Sequence, residues 1–182
     1  MSTRAQIRFV VRGETIDDHG EKVQTVKQAT QIYNHSDGNP EVILPHLRRL
    51  QRVLGDRLEY DRPPYIGAMF ITVGKMATVA GLGGDEPAPG STFSEVYDPE
   101  TIVQSEVGKW FKLGYAVENV GPIHGDEQYL YRVDVSDSVW FVEVSEHNGF
   151  PRWDQNDGDT DAFDVATWQF DGSLDDGLER FG

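Results

Sequence analysis

Three stretches of this chain alternate apolar and polar residues with a period of two, and that pattern constrains its fold more than any other feature. In residues 5–12, Ala5, Ile7, Phe9 and Val11 fall on one side, while Gln6, Arg8 and Arg12 fall on the other. Successive side chains of an extended strand point to opposite faces, so this segment is a strand with one buried face. Residues 127–135 place Tyr129, Tyr131, Val133 and Val135 on one face, and residues 139–145 do the same with Trp140, Val142 and Val144. Ser136-Asp137-Ser138 joins these two as a hairpin. Residues 28–35, with Thr30, Ile32 and Tyr33, read as another strand, antiparallel to the first across the turn chemistry of residues 13–22.

Between the two strand pairs the period becomes that of a helix. Ile43, Leu47, Leu50, Leu54 and Leu58 recur at spacings of three and four. Asn39 or Asp37 can cap this helix, Pro40 suits its first turn, and Gly55 is a stop. Pro45 is tolerable if the regular helix begins near Val42. A second helix over 64–81 carries Ile66, Met69, Phe70, Val73, Met76, Ala77 and Ala80 on a broad stripe. Few charges oppose that stripe, which predicts burial on more than one side and makes it a surface for homo-oligomerisation. Asp98-Pro99 opens a third helix over 99–113, with Val103, Val107, Trp110 and Phe111 inward. Residues 1–147 thus predict an α+β domain: an antiparallel sheet of about four strands with two or three helices packed on one face.

The remaining segment, 148–182, holds nine acidic residues against Arg152 and Arg180. Trp153, Phe163, Trp168, Phe170 and Phe181 are spread through it. A purely solvating tail does not keep so many aromatics. We expect it to dock on the domain or on a partner.

Charge narrows the partners. The 182 residues include 31 acidic and 16 basic side chains, a formal net charge of −15. Such a surface repels nucleic-acid phosphate and anionic lipid, which are bound through cationic side chains. Cysteine is absent, which excludes disulfides and thiolate chemistry. Lysine occurs five times and arginine eleven, with acids spread along the whole chain. Excess charge aids solubility but makes the folded state repel itself, and molar salt screens that repulsion to within about 3 Å. Low lysine, high aspartate and many glycines fit a high-salt cytoplasm. The most apolar run, 66–82, is broken by Gly67, Gly74, Lys75 and Gly81, short of the roughly 18 residues a spanning helix needs. No leader is visible either, so the expected location is a high-salt cytoplasm or a virion.

At three places the chain resembles a family of small uncharacterised proteins from phages, archaeal viruses and microbial genomes. The matching residues are Ser2-Thr3-Arg4-Ala5, Tyr33-Asn34-His35-Ser36-Asp37-Gly38-Asn39-Pro40 and Gly125-Asp126-Glu127-Gln128-Tyr129-Leu130-Tyr131. They correspond to a Ser-Thr-Arg-Ala start, a Tyr-x-His-x-Asp-Gly-Tyr-Pro segment before a helix, and Gly-Asp-x-x-Tyr-x-Tyr before a hairpin. Asn39 stands where that family usually has Tyr, so any stacking role of the ring is lost. The resemblance covers 2–147 in organisation. It implies the same fold outline and a virus or mobile-element connection, and it brings no reaction with it.

The strongest candidate for chemistry is a doubled His-x-Asp: His35 with Asp37, and His124 with Asp126. If their strands pair antiparallel, two imidazoles and two carboxylates meet at one sheet edge, beside a helix N-terminus. That donor set suits zinc, manganese or iron, and a metal there could activate water for hydrolysis. The competing reading makes Asp37-Gly38 and Gly125-Asp126 turn formers and His35 a packing or capping group. The run Asp154, Asp157, Asp159, Asp161 lacks the Gly and final Glu of a calcium loop, so it reads as an acidic loop. Arg48, Arg49, Arg52 and Arg57 form the one basic cluster, able to meet an acidic partner or the chain's own carboxylates. Gly81-Leu-Gly83-Gly84 lacks the Lys of a phosphate loop, and Ser91, Ser94 and Ser105 lack a nucleophile elbow. His19, His46 and His147 read as surface or helix residues.

The expectation is therefore a non-enzymatic interaction or structural protein of a halophilic archaeon or its virus, requiring no cofactor and identifying no small-molecule substrate. Arg48, Arg49, Arg52, Trp153, Trp168 and Phe170 would bind a protein partner or a second copy. The alternatives are a metal-dependent hydrolase using His35, Asp37, His124 and Asp126, and an acidic inhibitor or mimic that binds a basic host protein.

Overall fold

A computed structural model describes residues 3–35, 37–55, 62–79, 115–118, 120, 127–146, 163 and 166–182, with side chains described as far as residue 75 in the second helix. Strands β1 (Ala5–Ile16) and β2 (Lys22–Asn34) form one long antiparallel hairpin. The alternation predicts strands ending at 12 and resuming at 28, yet only residues 17–21 turn. Asp17 is the reason. Its carboxylate accepts the backbone N–H groups of His19 (2.9 Å) and Glu21 (2.8 Å), and Gly20 takes a φ of +83°.

Helix α1 (Pro40–Leu54) follows, then α2 (Pro63–Val79). Asn39 stands at the cap position of α1 and Gly55 just past its end. Pro45 lies inside the helix, which begins two residues before the expected start at Val42. The chain then adds β3 (Tyr115–Glu118), β4 (Tyr129–Asp134), β5 (Phe141–Glu146), β6 (Phe170–Ser173) and α3 (Leu174–Phe181). The expected helix over 99–113 lies outside the described residues.

Among the described residues the sheet has six strands in the order β3-β2-β1-β4-β5-β6. It is mixed, which corrects the expected antiparallel sheet of about four strands. β1 and β4 run parallel, Ala5 beside Tyr129 and Phe9 beside Val133. Every other pair is antiparallel. Each of the extra strands, β3 and β6, has only four residues, too few for a period of two to register. β4 can run parallel to β1 because no tight hairpin joins the two: β2, two helices and β3 intervene, a connection long enough for any strand direction.

One sheet face carries the core. Ile7, Phe9, Ile32, Tyr131, Val133, Val142 and Val144 pack beneath Ile43, Leu47 and Leu50 of α1 and Ile66, Phe70 and Val73 of α2. Phe9 meets Phe70 edge-on, with ring centroids 5.5 Å apart. The α2 stripe thus gives its described apolar residues to the chain's own core. The end of the chain docks here too. Phe170 and Leu174 are buried in this core, and the Arg48 guanidinium pairs with Asp175 to tie α3 to α1. Ser173 caps α3 reciprocally: its hydroxyl accepts from the Asp176 N–H, and the Asp176 carboxylate accepts from the Ser173 N–H, both 3.2 Å.

Candidate functional site

The end of β2, which leads into His35, and the start of β4 fall at the same end of the sheet, but β2 and β4 do not pair. Ala5 of β1 stands between them, beside Asn34 on one side and Tyr129 on the other. Two strand spacings, about 10 Å, therefore separate the end of β2 from the start of β4. The antiparallel pairing on which the expected convergence rested is corrected. His35 Nδ1 lies 3.2 Å from the Tyr33 hydroxyl. Asp37 is exposed, with a φ of 56°. Gly38 is pressed against β1: its N–H donates to the Thr3 carbonyl (3.0 Å), and its own carbonyl accepts from the Tyr131 hydroxyl (2.8 Å). A Cβ on Gly38 would sit 2.8 Å from the Arg4 carbonyl carbon, so this turn needs glycine. His124, Asp126, Trp153 and the Asp154–Asp161 run lie outside the described residues. Among the described residues, no three His, Asp or Glu side chains are placed to hold a metal ion.

Charge gathers instead on the sheet face opposite the helices. The residues are those that the period of two sets against the apolar ones. Arg8, 5% exposed, donates from Nε (3.0 Å) and Nη2 (2.7 Å) to the Gln31 side-chain carbonyl. Its guanidinium lies over the Phe163 ring, 3.8 Å from the centroid. Arg132, beside Arg8 on β4, pairs with Glu143 (3.1 Å), lies over Trp168 (4.7 Å) and donates to the Phe163 carbonyl. Arg12 reaches both Asp134 (3.1 Å) and Glu143 (3.4 Å). Burial pushes the Glu143 carboxyl up, against the pull of Arg132 and Arg12. Gln6 donates to Glu118 of β3 (2.5 Å). Two arginines that meet in register repel, and the facing glutamate, amide and aromatic rings offset that repulsion.

A third cluster was not expected. His46, 4% exposed, lies flat on Phe70, with centroids 4.1 Å apart. Its Nε2–H donates to the Phe70 carbonyl (3.0 Å), and Nδ1 faces the Tyr115 hydroxyl (3.5 Å). Burial pushes its pKa down to about 4, aided by the nearby Arg49 guanidinium and opposed by the Phe70 carbonyl. Burial pushes the Tyr115 hydroxyl up to about 12 and lowers Lys75, whose ammonium lies 5.8 Å from the Tyr115 ring centre. Gly74 leaves the space both rings occupy, since a Cβ there would run into His46 and Tyr115. A signal for this cluster exists in the sequence: His46 lies three residues after Ile43 and four before Leu50, in phase with the inward stripe. It is a neutral imidazole that joins α1, α2 and β3.

Of the residues expected to bind a partner, Arg48 is paired with Asp175 and bonded to Gln51 (2.6 Å). Arg52 is exposed and Arg49 half-buried. Trp168 lies under Arg132, and Phe170 is in the core. No described helix is long and apolar enough to cross a membrane. The molecule is an α+β protein with a six-stranded mixed sheet. Comparison with protein-family models, curated proteins and solved structures gives no match.

Proposed function

We propose that this is a non-enzymatic interaction or structural protein of a halophilic archaeon or its virus, acting in a high-salt cytoplasm or within a virion. The observation that carries the reading is how the charged face of the sheet is used. Arg8, Arg12 and Arg132 are bound to Gln31, Asp134, Glu143, Phe163 and Trp168 of the same chain. Cations held on both sides by their own chain maintain shape. Among the described residues the far half of the β1–β2 hairpin has no further strand beside it, and Ile16 (70%) and Val26 (50%) are exposed there. An extended arm of this kind supports contact with a protein partner or a second copy in place of nucleic acid or membrane. The net charge of −15 supports a salt-rich setting.

The test is gel filtration of the purified chain with a halophile lysate in molar KCl, run beside a hydrolase substrate screen with and without divalent metal. A stoichiometric protein complex that co-elutes, with no turnover, is the expected result. Metal-dependent turnover lost on His35→Ala would replace this reading with the hydrolase.

A further inference from the structure

Asp37-Gly38 is one of three aspartyl-glycyl bonds among the described residues. Such a bond can rearrange when the glycine nitrogen attacks the aspartate side-chain carboxyl carbon and closes a five-membered ring. Glycine favours the attack because it has no Cβ to shield its nitrogen. Two of the three bonds are locked in regular structure. Asp171 and Gly172 both pair with β5, and Asp176-Gly177 lies in α3 with the Asp176 carboxylate held by the Ser173 hydroxyl (2.7 Å). Asp37 differs. It lies in the turn between β2 and α1, it is exposed, and among the described residues its carboxylate has no hydrogen bond or ion pair. What the fold holds there is the attacking nitrogen. Gly38 is buried, its N–H donates to the Thr3 carbonyl (3.0 Å), and its carbonyl accepts from the Tyr131 hydroxyl (2.8 Å). The seat is tight: a Cβ on Gly38 would lie 2.7 Å from the Ala5 Cβ and 2.8 Å from the Arg4 carbonyl carbon.

We propose that Asp37-Gly38 is a spontaneous modification site, where isoaspartate forms when residues 3–5 lift from Gly38. While Gly38 donates to Thr3, its nitrogen is pinned against β1 and cannot swing onto the Asp37 side chain. Local opening frees it. A bond then forms between the Gly38 nitrogen and Asp37 Cγ. The bond from Cγ to one carboxyl oxygen breaks, and that oxygen leaves as water with the amide proton and one proton from the medium. Water reopens the ring at either carbonyl. Attack at the side-chain carbonyl restores aspartate, and attack at the main-chain carbonyl leaves the backbone running through Cβ and Cγ. The second product adds one carbon to the main chain ahead of Gly38. A seat too tight for a Cβ does not take that displacement, so the modified turn closes less well and the change accumulates. The turn thus records how often the start of β1 has been undocked.

The experiment incubates the full chain near neutral pH, folded in molar KCl and unfolded in urea. Peptide mapping by mass spectrometry, with methyl transfer by an isoaspartyl methyltransferase, follows isoaspartate at each aspartyl-glycyl bond. The folded chain should form it at Asp37 about tenfold or more slowly than the unfolded chain, and more slowly still at Asp171 and Asp176. Tyr131→Phe removes the hydroxyl that holds the Gly38 carbonyl and keeps the buried ring, and a circular dichroism spectrum checks that the fold is kept. It should raise the folded-state rate at Asp37 about fivefold, the change in open population that one lost hydrogen bond produces. Exchange of the Gly38 amide should quicken by the same factor, with Asp171 and Asp176 unchanged. An unfolded chain without isoaspartate at Asp37, a folded chain that forms it as fast as the unfolded one, or a Tyr131→Phe chain in which the Gly38 amide quickens and isoaspartate does not, overturns the proposal. So does a rise shared equally by all three bonds, which marks global unfolding in place of a local opening.

Discussion

Arg8 lies over the Phe163 ring on the charged side of the sheet, the guanidinium carbon 3.8 Å from the ring centroid. Both are almost wholly removed from solvent. A cation buried on an aromatic face keeps its attraction to the ring without competition from water, so the contact is worth more here than at a surface. Phe163 thereby closes the charged face just as α1 and α2 close the apolar one.

Phe163→Ala should accordingly destabilise the protein by about 3 kcal/mol, a cavity cost with the cation–π loss added. Denaturant titration in molar KCl measures it. Phe163→Leu, which keeps volume and removes the π face, should fall between wild type and Ala. Equal stability of all three would show that Phe163 does not cover Arg8.

His46 predicts an acid-sensitive core. Its folded pKa of about 4 lies below the ordinary 6.5, so between those values the unfolded chain binds a proton that the folded chain refuses. Stability therefore rises with pH through this window and is lost on acidification, by up to about 3 kcal/mol from this group. The carboxylates add their own acid dependence, so the informative quantity is the difference between wild type and His46→Gln. That variant should be less stable at neutral pH by about 1–2 kcal/mol and should lose part of the slope between pH 4 and 6.5. Parallel curves for the two would contradict a neutral buried imidazole.

Gly74→Ala sets two effects against each other. Helix propensity favours Ala in a helix interior by about 1 kcal/mol. Overpacking against His46 and Tyr115 costs about 1–3 kcal/mol. The second is the larger, so the variant should melt below wild type. Gly74→Ala combined with Tyr115→Phe, which removes the hydroxyl, should recover part of the loss.

Removing salt should loosen the fold. Thirty-one acidic side chains on 182 residues repel over about 10 Å at 0.1 M salt and over about 3 Å at 1 M. The thermal midpoint should climb steadily with KCl. A midpoint indifferent to KCl would remove the case for a brine-adapted surface.

Local order was legible at several places. The alternation through residues 5–11 and 127–135 named the core residues Ile7, Phe9, Tyr131 and Val133 correctly, because an exposed strand face and a buried one demand opposite chemistry. The stripe Ile43, Leu47, Leu50 placed α1, and Ile66, Phe70, Val73 placed α2, for the same reason with a different period. His46 is not legible in the same way, because a polar residue type reads as surface even where it falls in an apolar phase. Its burial depends on a carbonyl in α2 and a hydroxyl in β3, both distant in sequence.

Which strands lie beside which was decided in three dimensions. Periodicity says that a strand has an inside, and it is silent on the neighbour that completes the sheet. So β1 took β4 as a parallel partner, and the segment after Trp168 supplied an edge strand and a helix to the same body. Arg8 and Arg132, which alternation alone assigns to water, became part of a second interior once Phe163 and Trp168 folded over them, and Gln6 and Gln31 beside Arg8 are buried with it. Covering that face requires chain brought back from far along the sequence, and such long-range closure leaves no mark on the local pattern of residues.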